Sequence, residues 1–455
     1  MVKLETGEHY LAALLSSRTM VQEGKVECSG TSRYLEREWS KTTGESVMSL
    51  NPSCRSIRHV AQSAITGKEP QLQGLDGLQA MQKLGTSGLI VPGTTIIFND
   101  PPGPNGYMIY PSNFIGEAVL GAWKALATSP TLTALQQSRR MVTNTEEDEQ
   151  TGAVALPSRY NFPKCGRAGT WHDNDGQNAW FLTHFSPFAA IEEQGSWMAR
   201  ARSGEVFMFE RAVIVDRMAA HAAGGAVDAV GKMSGAIAGL PWKGQDIMAP
   251  LRTSFFESLG AVVKPSDKPL VVYMDHQSQG RRLIKSQHER LVQALKELVD
   301  IAEVHVTNIQ KMNPTERVEL FGRATVGISR LNSAAEILTR GNHQVLLSVF
   351  HDDSINQIFM PPTNRTTVIE MYDPGSYAPD WHLVANMAGH RYYPIHFDQI
   401  GLQRASGRVA TSGMDGDKLI VDEGFVAKLI RKILTEPDPE KLAKFVDDNT
   451  DIDGA

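Results

Sequence analysis

A chain of 455 residues is too long for one ordinary hydrophobic core, so its length predicts two domains. Its composition, with 41% hydrophobic and 21% charged residues, is that of a soluble globular protein. The formal charge of −6 argues against a nucleic-acid partner, which would favour a basic face.

The cysteine content and the hydropathy further limit the classes of protein to which this chain can belong. Cys28, Cys54 and Cys165 form no metal-ligand pattern; a Cys28–Cys54 disulfide is one interpretation, and free thiols are the expectation. No apolar run approaches the roughly 18 residues that span a bilayer. The start, MVKLETGEHYLAALLSS, shows neither a charged leader region nor a cleavage site. The chain as written is therefore predicted to be soluble, with the lumenal part of a longer protein as the alternative.

The N-terminal half contains few clear elements. Residues 1–85 are rich in Ser, Gly and Gln, which predicts a loosely built region, and the turn cluster FNDPPGPNG follows. The first dense apolar block is NAWFLTHFSPFAAIEE. The next, VFMFERAVIV, alternates like a half-buried strand and ends at Asp216, where an α/β sheet places ligand contacts. A solvent-facing Asp216–Arg217 pair is the alternative.

From Lys264 onward, strands and helices alternate. The predicted strands are KPLVVYM, EVHVTNI, VLLSVF, TVIEMY and RYYPI, and between them lie the predicted helices SQHERLVQALKELV, NPTERVELFGRA, SINQIFM and APDWHLVANMAG. Ser286 and Glu289 have capping-box spacing in the first helix, and Asn313 and Pro314 suit the cap and first position of the second. The alternation predicts a parallel sheet wrapped by helices. A last helix at EGFVAKLIRKIL and an acidic tail, DDNTDIDGA, close the chain.

Two apparent motifs fail. GGAVDAVGKMS resembles a phosphate loop, but Ala226 stands where glycine is required, and Met233 stands where Mg²⁺ binding requires Ser or Thr. Asp173 and Asp175 form a D-x-D pair of the kind that holds a metal at a diphosphate, but the pattern recurs twice near the C-terminus. No metal site is predicted, and a divalent ion at a diphosphate remains an alternative.

Two polar loops give stronger evidence of a binding site than these motifs do. KPLVVYM runs into DHQSQGRRL, where Arg281 and Arg282 suit phosphate because guanidinium groups bind it in two-point geometry; a solvated basic turn is the alternative. In VFHDDSINQIFMPP, His351 and Asp353 lie in a polar turn before a short helix, whose free amides would stabilise a diphosphate. Both loops would leave the same sheet edge, with Glu370 in reach of a ribose hydroxyl. The pattern predicts a pocket for a nucleotide diphosphate.

The same segments carry a family resemblance. KPLVVYMDHQSQGRRL, IQKMNPTERVELFGRATV and VFHDDSINQIFMPPTNRTTVIEMYDPGSYAPDWHLVANMAGHRYYPI resemble, in this order, the C-terminal half of the fungal branch of glycosyltransferase family 61. WHDNDGQNAWFLTHFSP and FERAVIVDRMAAH resemble its N-terminal half, so that the likeness spans residues 157–400. It implies an α/β protein with a GT-B-like fold, in which two Rossmann-like domains face a central cleft.

The resemblance also implies domain boundaries. Residues 1–85 would be a loosely structured N-terminal region, and residues 86–262 an acceptor-side Rossmann-like domain. Residues 263–415 would form the donor-binding domain, and residues 416–455 a C-terminal helix with an acidic tail.

Candidate site residues follow position by position. Arg281 and Arg282 match the family's RR pair and would face the donor phosphates. Glu370 matches the glutamate of its VIE motif and would bind the ribose or base, and Asn356 stands where the family has His or Asn at the end of a glycine-rich loop. Inverting transfer needs a base that takes a proton from the acceptor hydroxyl. Asp173 and His221 are the two candidates for this role. 

Three departures separate this chain from the family pattern. Aligned without a gap, the family's HGNGLTHLLWM falls on residues 350–360, which places His351 and Asp353 at its two glycines; a one-residue gap would keep His351 as the family histidine. Asp353 adds a β-carbon and a negative charge, both of which oppose close approach of a phosphate. His276 replaces an expected arginine. Residues 327–343 are extra, as a genuine insertion or as intron-derived residues.

The resemblance implies inverting transfer from a UDP-sugar donor to a glycan or glycoprotein, with no tightly bound cofactor. It implies the lumen of the ER or Golgi, whereas the chain as written shows no anchor, and a complete N-terminus would imply a cytoplasmic protein. The main alternative to an active transferase is a catalytically degenerate relative that acts as a binding or scaffold protein. A nucleotide-dependent enzyme of another chemistry on the same fold is a third interpretation.

Overall fold

The structure, a computed structural model, divides into two compact units, Met1–Ser254 and Phe255–Ala455. It describes residues 2–3, 10–13, 48–49, 89–98, 108–128, 156–165, 171–203, 205–215, 247–262, 268–277, 282–323, 344–349, 352–362, 366–373, 377, 380–401, 419–436 and 438–450. Each unit combines helices with a sheet in which parallel pairing dominates, so the protein belongs to the α/β class.

The first unit is built on a sheet with the order β1-β2-β7-β4-β5-β6, and β3 pairs antiparallel with β7. Its strands are β1 Val2–Lys3, β2 Tyr10–Ala13, β3 Met48–Ser49, β4 Leu89–Phe98, β5 Arg159–Phe162, β6 Ala190–Glu193 and β7 Phe207–Val215. Its helices are α1 Leu120–Thr128, which continues a π-helical turn Ser112–Val119, then α2 Gln177–Phe185, α3 Gln194–Ser203 and α4 Ala249–Leu259, which runs into the second unit. Strands β2, β7, β4, β5 and β6 pair in parallel with one another in this order, whereas β1 pairs antiparallel with β2.

An aromatic stack fills the first unit beside β4 and β5. The rings of Phe98 and Phe162 lie 4.9 Å apart, and Trp171 stacks on Phe162 at 4.4 Å with an interplanar angle of 4°. Phe114 completes the cluster, 5.6 Å from Trp171. All four side chains are buried, so the chain that carries Trp171 is fixed at the end of β5.

The second unit is built on a sheet with the order β13-β12-β11-β10-β8-β9. Its strands are β8 Leu270–Met274, β9 Glu303–Thr307, β10 Gln344–Val349, β11 Thr367–Tyr372, β12 Arg391–His396 and β13 Gln399–Ile400. Its helices are α5 Lys285–Lys296, α6 Pro314–Gly322, α7 Asp380–Met387, α8 Glu423–Thr435 and α9 Pro439–Asp448, with 3-10 helices at Ile309–Lys311 and Asp352–Phe359.

The predicted parallel sheet is confirmed. Strands β9, β8, β10, β11 and β12 pair in parallel, and only the short edge strand β13 is antiparallel. Every residue of β8 and of β11 is buried, which explains their continuous apolar runs. The segment SINQIFM is helical, as predicted, but forms a 3-10 helix that already begins at Asp352.

The predicted cap at Ser286 is wrong. Helix α5 begins at Lys285, and its N-cap residue Ile284 makes no side-chain cap. The reason is a parallel bridge between Leu283 and Leu419, in which the Ile284 amide donates to the Leu419 carbonyl at 3.1 Å. The bridge holds the chain extended up to Ile284, so Ser286 already lies in the first turn.

The prediction that the helix at EGFVAKLIRKIL is the last one is also wrong. Helix α9 follows it and takes in the two aspartates at the start of the predicted tail. Asp438 caps this helix by accepting from the Glu440 amide at 3.0 Å, and Pro439 occupies its first turn. Leu442 is buried in the core of the second unit, which gives the helix an apolar anchor.

Several predicted features lie outside the described residues. They are Cys28, Cys54, most of the FNDPPGPNG turn, Asp216–Arg217, the GGAVDAVGKMS segment and residues 327–343. Cys165 is buried and is not part of a disulfide bond. Among the helices that the structure describes, none is both long and apolar enough to cross a membrane.

The predicted cap at Asn313 is confirmed and gives a first test. Its side chain accepts from the Glu316 amide at 2.9 Å, and the Glu316 carboxylate accepts from the Asn313 amide at 3.0 Å. Replacing Asn313 with Ala should lower the free energy of unfolding by about 1 kcal/mol, because the Glu316 amide loses its side-chain partner. Ser286→Ala removes no capping hydrogen bond, so it should leave the free energy of unfolding nearly unchanged. Urea denaturation of both variants measures the difference, and equal effects would contradict the assignment.

Candidate functional site

The two predicted polar loops leave one edge of the second sheet. Strands β8 and β10 are parallel neighbours. Leu270 lies opposite Gln344 at the start of the paired region, and Tyr273 lies opposite Leu347 at its end. Their carboxyl ends therefore lie side by side, and the loop after β8 meets the 3-10 helix after β10. Ligands of open α/β sheets bind at this edge.

Two of the departures from the family pattern contact each other at this edge. His276 Nδ1 lies 3.6 Å from Asp353 Oδ2, and both side chains are largely buried. The two positions at which the sequence departs from the pattern that it resembles thus face each other. A negative group of the protein therefore occupies the loop where the sequence predicts a bound phosphate.

Arg317 belongs to the same site, although the sequence reasoning missed it. It lies in the first half of α6, which follows β9 and so starts near the same edge. Burial lowers the pKa of Arg317, and the negative charge of Asp353 partly offsets that effect. The guanidinium is therefore within electrostatic range of Asp353, and its Nε donates to the Met312 carbonyl at 3.2 Å. The sequence could have identified Arg317 as a candidate, because it lies in the first half of a helix that follows a predicted strand.

Four residues that the sequence predicted for the donor side differ in where they lie. Arg282 is half-buried, and its carbonyl accepts from the Leu419 amide at 2.9 Å, which fixes the end of the loop after β8. Arg281 and His351 lie outside the described part of the chain. Asn356 is buried, and its side-chain amide donates to the Asp353 carbonyl at 2.7 Å. Asn356 therefore stabilises the turn that carries Asp353.

Glu370 lies in the interior of the second unit. Its Oε1 accepts from the Ser354 hydroxyl at 3.2 Å, and its Oε2 accepts from Tyr372 at 2.9 Å and from Tyr392 in a shorter hydrogen bond. Ser354 also bonds the hydroxyl of Ser348 at 3.2 Å, so Glu370 ties the 3-10 helix to the sheet. A contact with a ribose hydroxyl would require these protein hydroxyls to be displaced.

Burial sets the protonation of Glu370. The side chain is fully buried, and desolvation raises its pKa to about 7, against the opposing effect of the three hydroxyl donors. The raised pKa gives the second unit a buried carboxyl group that titrates near neutral pH.

Asp173 lies in the first unit and caps a helix. Its Oδ2 accepts from the amides of Asp175 at 3.2 Å and Gln177 at 2.9 Å, and its Oδ1 accepts from Asn178 at 2.8 Å. Both carboxylate oxygens are thus engaged at the start of α2, a structural task that competes with service as a base. His221, the other candidate, lies outside the described residues. Within the parts of the chain that the structure describes, no three His, Cys, Asp or Glu side chains are grouped to hold a metal.

Asp353 and Asn356 therefore lie in one turn at the carboxyl edge of the second sheet. Ser354 of the same turn links it to Glu370 on β11. Compared with models of protein families, the sequence matches none. A search of curated proteins finds no significant match either.

Proposed function

We propose that this chain is an inverting glycosyltransferase that transfers a sugar from a UDP-sugar to a glycan or glycoprotein hydroxyl. In this proposal the two α/β units form the domains of a GT-B-like enzyme, and the second unit binds the donor. The observation that carries it is that the loop after β8 and the turn after β10 leave the same carboxyl edge of a parallel sheet, with the Arg317 guanidinium in range of that turn. Lumenal localisation belongs to the same proposal and rests on the resemblance alone.

The chemistry of this edge suits a diphosphate in part. Arg317 supplies a guanidinium group in range of Asp353 in the 3-10 helix, and Arg282 supplies a second one at the end of the loop after β8; guanidinium groups pair with phosphate oxygens. The acceptor oxygen would attack the anomeric carbon and lose its proton to a base, while the bond from that carbon to the UDP oxygen breaks. The electron pair of that bond leaves with UDP, so the anomeric configuration inverts.

UDP binding is the direct test. UDP at a hundred times its Kd should raise the free energy of unfolding by about 2.7 kcal/mol, because it binds the folded state alone. Arg317→Met should reduce the shift in Tm, since it removes a cation near Asp353. Arg431→Met is the matched control, because Arg431 is an exposed residue of α8 that pairs with Asp300. No shift at millimolar UDP, or with any other nucleoside diphosphate, would contradict the proposal.

A second candidate function is favoured by one observation. The negatively charged side chain of Asp353 lies in the loop where a phosphate would bind, and His276 contacts that carboxylate. A protein carboxylate in that position repels the donor. The candidate is a relative without enzymatic activity, which keeps the fold and acts as a binding or scaffold protein. The same measurement separates the two, since this candidate predicts no stabilisation by UDP.

A further inference from the structure

Three oxygen atoms form a triangle at one end of the Glu370 carboxyl group. Glu370 Oε2 lies 2.9 Å from the Tyr372 hydroxyl and closer still to the Tyr392 hydroxyl, and the two hydroxyls lie 2.9 Å from each other. All three side chains are buried in the second unit. Since each contact is as short as a hydrogen bond, each requires a proton between its two oxygens.

This triangle is complete only when the carboxyl group carries a proton. A tyrosine hydroxyl donates one proton, so Tyr372 and Tyr392 together supply two. An ionised carboxylate supplies none, and one contact would then join two oxygens without a proton between them. A carboxylic acid supplies the third proton, so that every oxygen of the triangle donates once and accepts once. Burial raises the pKa of Glu370, which favours the same neutral state.

Other ionisable groups face Glu370 from β11, from β12 and from the region of α7. Burial raises the pKa values of the tyrosines that interact with it, which therefore stay protonated at neutral pH: Tyr372, Tyr377 and Tyr392. Burial lowers the pKa of His382 to about 4, so this residue of α7 is neutral while its ring stacks on Tyr392. Besides burial, the charge of Asp380 at the start of α7 also raises the pKa of Glu370. His396 contacts the edge of the Tyr372 ring, 6.1 Å between ring centroids.

The other oxygen of the same carboxyl group is bonded to the 3-10 helix that follows β10. Glu370 Oε1 accepts from the Ser354 hydroxyl at 3.2 Å, and Ser354 is fully buried. Ser354 directly follows Asp353, whose carboxylate lies 3.6 Å from His276 and acts on the Arg317 guanidinium. The hydrogen bond therefore links the oxygen triangle to the turn where the proposed function places the donor diphosphate. A charge on Glu370 would be added beneath that turn.

We propose that Glu370 is a positioning residue, which as a neutral acid holds the donor-binding turn through Ser354 and whose ionisation weakens UDP binding; this assignment rests on the proposed transferase function. Ionisation opens the triangle, which displaces the carboxyl group to which Ser354 is bonded, and it adds a negative charge that repels a diphosphate. Bound UDP favours the neutral acid to the same extent, so Glu370 keeps its proton to a higher pH in the complex. In this role Glu370 does not touch the nucleotide, in contrast to the ribose contact that the sequence predicts.

Isothermal titration with UDP at a series of pH values compares the wild type with Glu370→Gln. The glutamine amide donates from the position of Oε2 at every pH, so it mimics the acid. The ratio of the wild-type Kd to that of the variant should be level below about pH 6 and rise about fivefold or more by about pH 9. The ratio cancels the titration of UDP itself and of His276 and His396. A level ratio, or loss of UDP binding by the folded variant at every pH, would overturn the positioning role. A wild type that binds no UDP at any pH would instead overturn the proposed function, and this role with it.

A second variant, Ser354→Ala, tests the link between Glu370 and the turn. It keeps Glu370 and both tyrosines, so its free energy of unfolding should still fall as the pH rises through the pKa of Glu370, about 7 in the wild type. The rise of its UDP Kd with pH should be smaller than in the wild type, because the hydroxyl that joins the carboxyl group to the turn is gone. Ser286→Ala, at an exposed serine of α5, is the matched control and should keep the wild-type profile. An undiminished rise in Ser354→Ala would overturn the proposed role of this hydrogen bond.

Discussion

The Glu370→Gln variant should lose a large pH dependence of stability that the wild-type protein shows between about pH 4.5 and 7. The folded-state pKa of Glu370 is raised from 4.5 to about 7 because the carboxyl group is fully buried. Between these values the folded protein binds more protons than the unfolded chain. The free energy of unfolding should therefore fall as the pH rises through this range and become level above it. A difference between 4.5 and about 7 corresponds to about 3 kcal/mol.

Glutamine is the informative substitution because it keeps the shape and stays neutral at every pH. Its amide can bond the same hydroxyls of Ser354, Tyr372 and Tyr392 without the desolvation of a charge. The stability of the variant relative to the wild type should be lowest at low pH, where Glu370 is protonated. It should increase as the pH rises and the wild type loses this stabilisation. Other groups titrate in both proteins, so the difference between the two curves isolates Glu370.

Urea denaturation from pH 4.5 to 8 provides the measurement. Glu289→Gln is the control, because Glu289 is exposed on α5 and lies 3.9 Å from Lys285 in an exposed ion pair. Its curve should run parallel to that of the wild type. Parallel curves for Glu370→Gln as well would show that Glu370 does not titrate differently in the folded and unfolded states, which would contradict its buried, hydroxyl-bonded environment.

The second sheet was the part of the fold that the sequence predicted best. Strands buried on both faces must be apolar throughout, as in β8 and β11, and such runs are visible without any knowledge of their neighbours. Asn313 was predictable because its cap uses partners three residues away. Ser286 was misjudged because a bridge to Leu419, distant in the sequence, decides where α5 begins.

The sheet edge at which the two polar loops meet was predictable from the sequence, and the contacts between the loops were not. A parallel sheet places the ends of β8 and β10 together whatever their loops contain, so the common edge follows from topology. The contact between His276 and Asp353 depends on how two loops settle, and the sequence showed these residues only as separate departures from a family pattern. Glu370 illustrates the same limit, since its burial depends on Tyr392 of the neighbouring strand.

Replacing Asp353 with Asn should strengthen UDP binding about 10- to 100-fold. A carboxylate about 5 Å from a phosphate is repelled by about 1–3 kcal/mol at the effective dielectric constants of protein surfaces and water, and each 1.4 kcal/mol is about tenfold in Kd. Asparagine removes the charge and keeps the size, and Asp353→Gly would in addition remove the β-carbon.

Isothermal titration with UDP measures these affinities, and Asp300→Asn is the control. Asp300 is exposed, pairs with Arg431 and precedes β9, so it lies towards the opposite edge of the sheet and its loss should leave Kd unchanged. The result also decides between the two candidate functions. A wild type that binds UDP weakly and a tighter Asp353→Asn variant indicate a working donor site with a reduced affinity. Binding that appears only in the variant indicates that Asp353 itself excludes the donor, as expected of a relative without activity. Unchanged affinity would place the phosphate away from this turn, because a charge within one Debye length of the ligand must alter its binding.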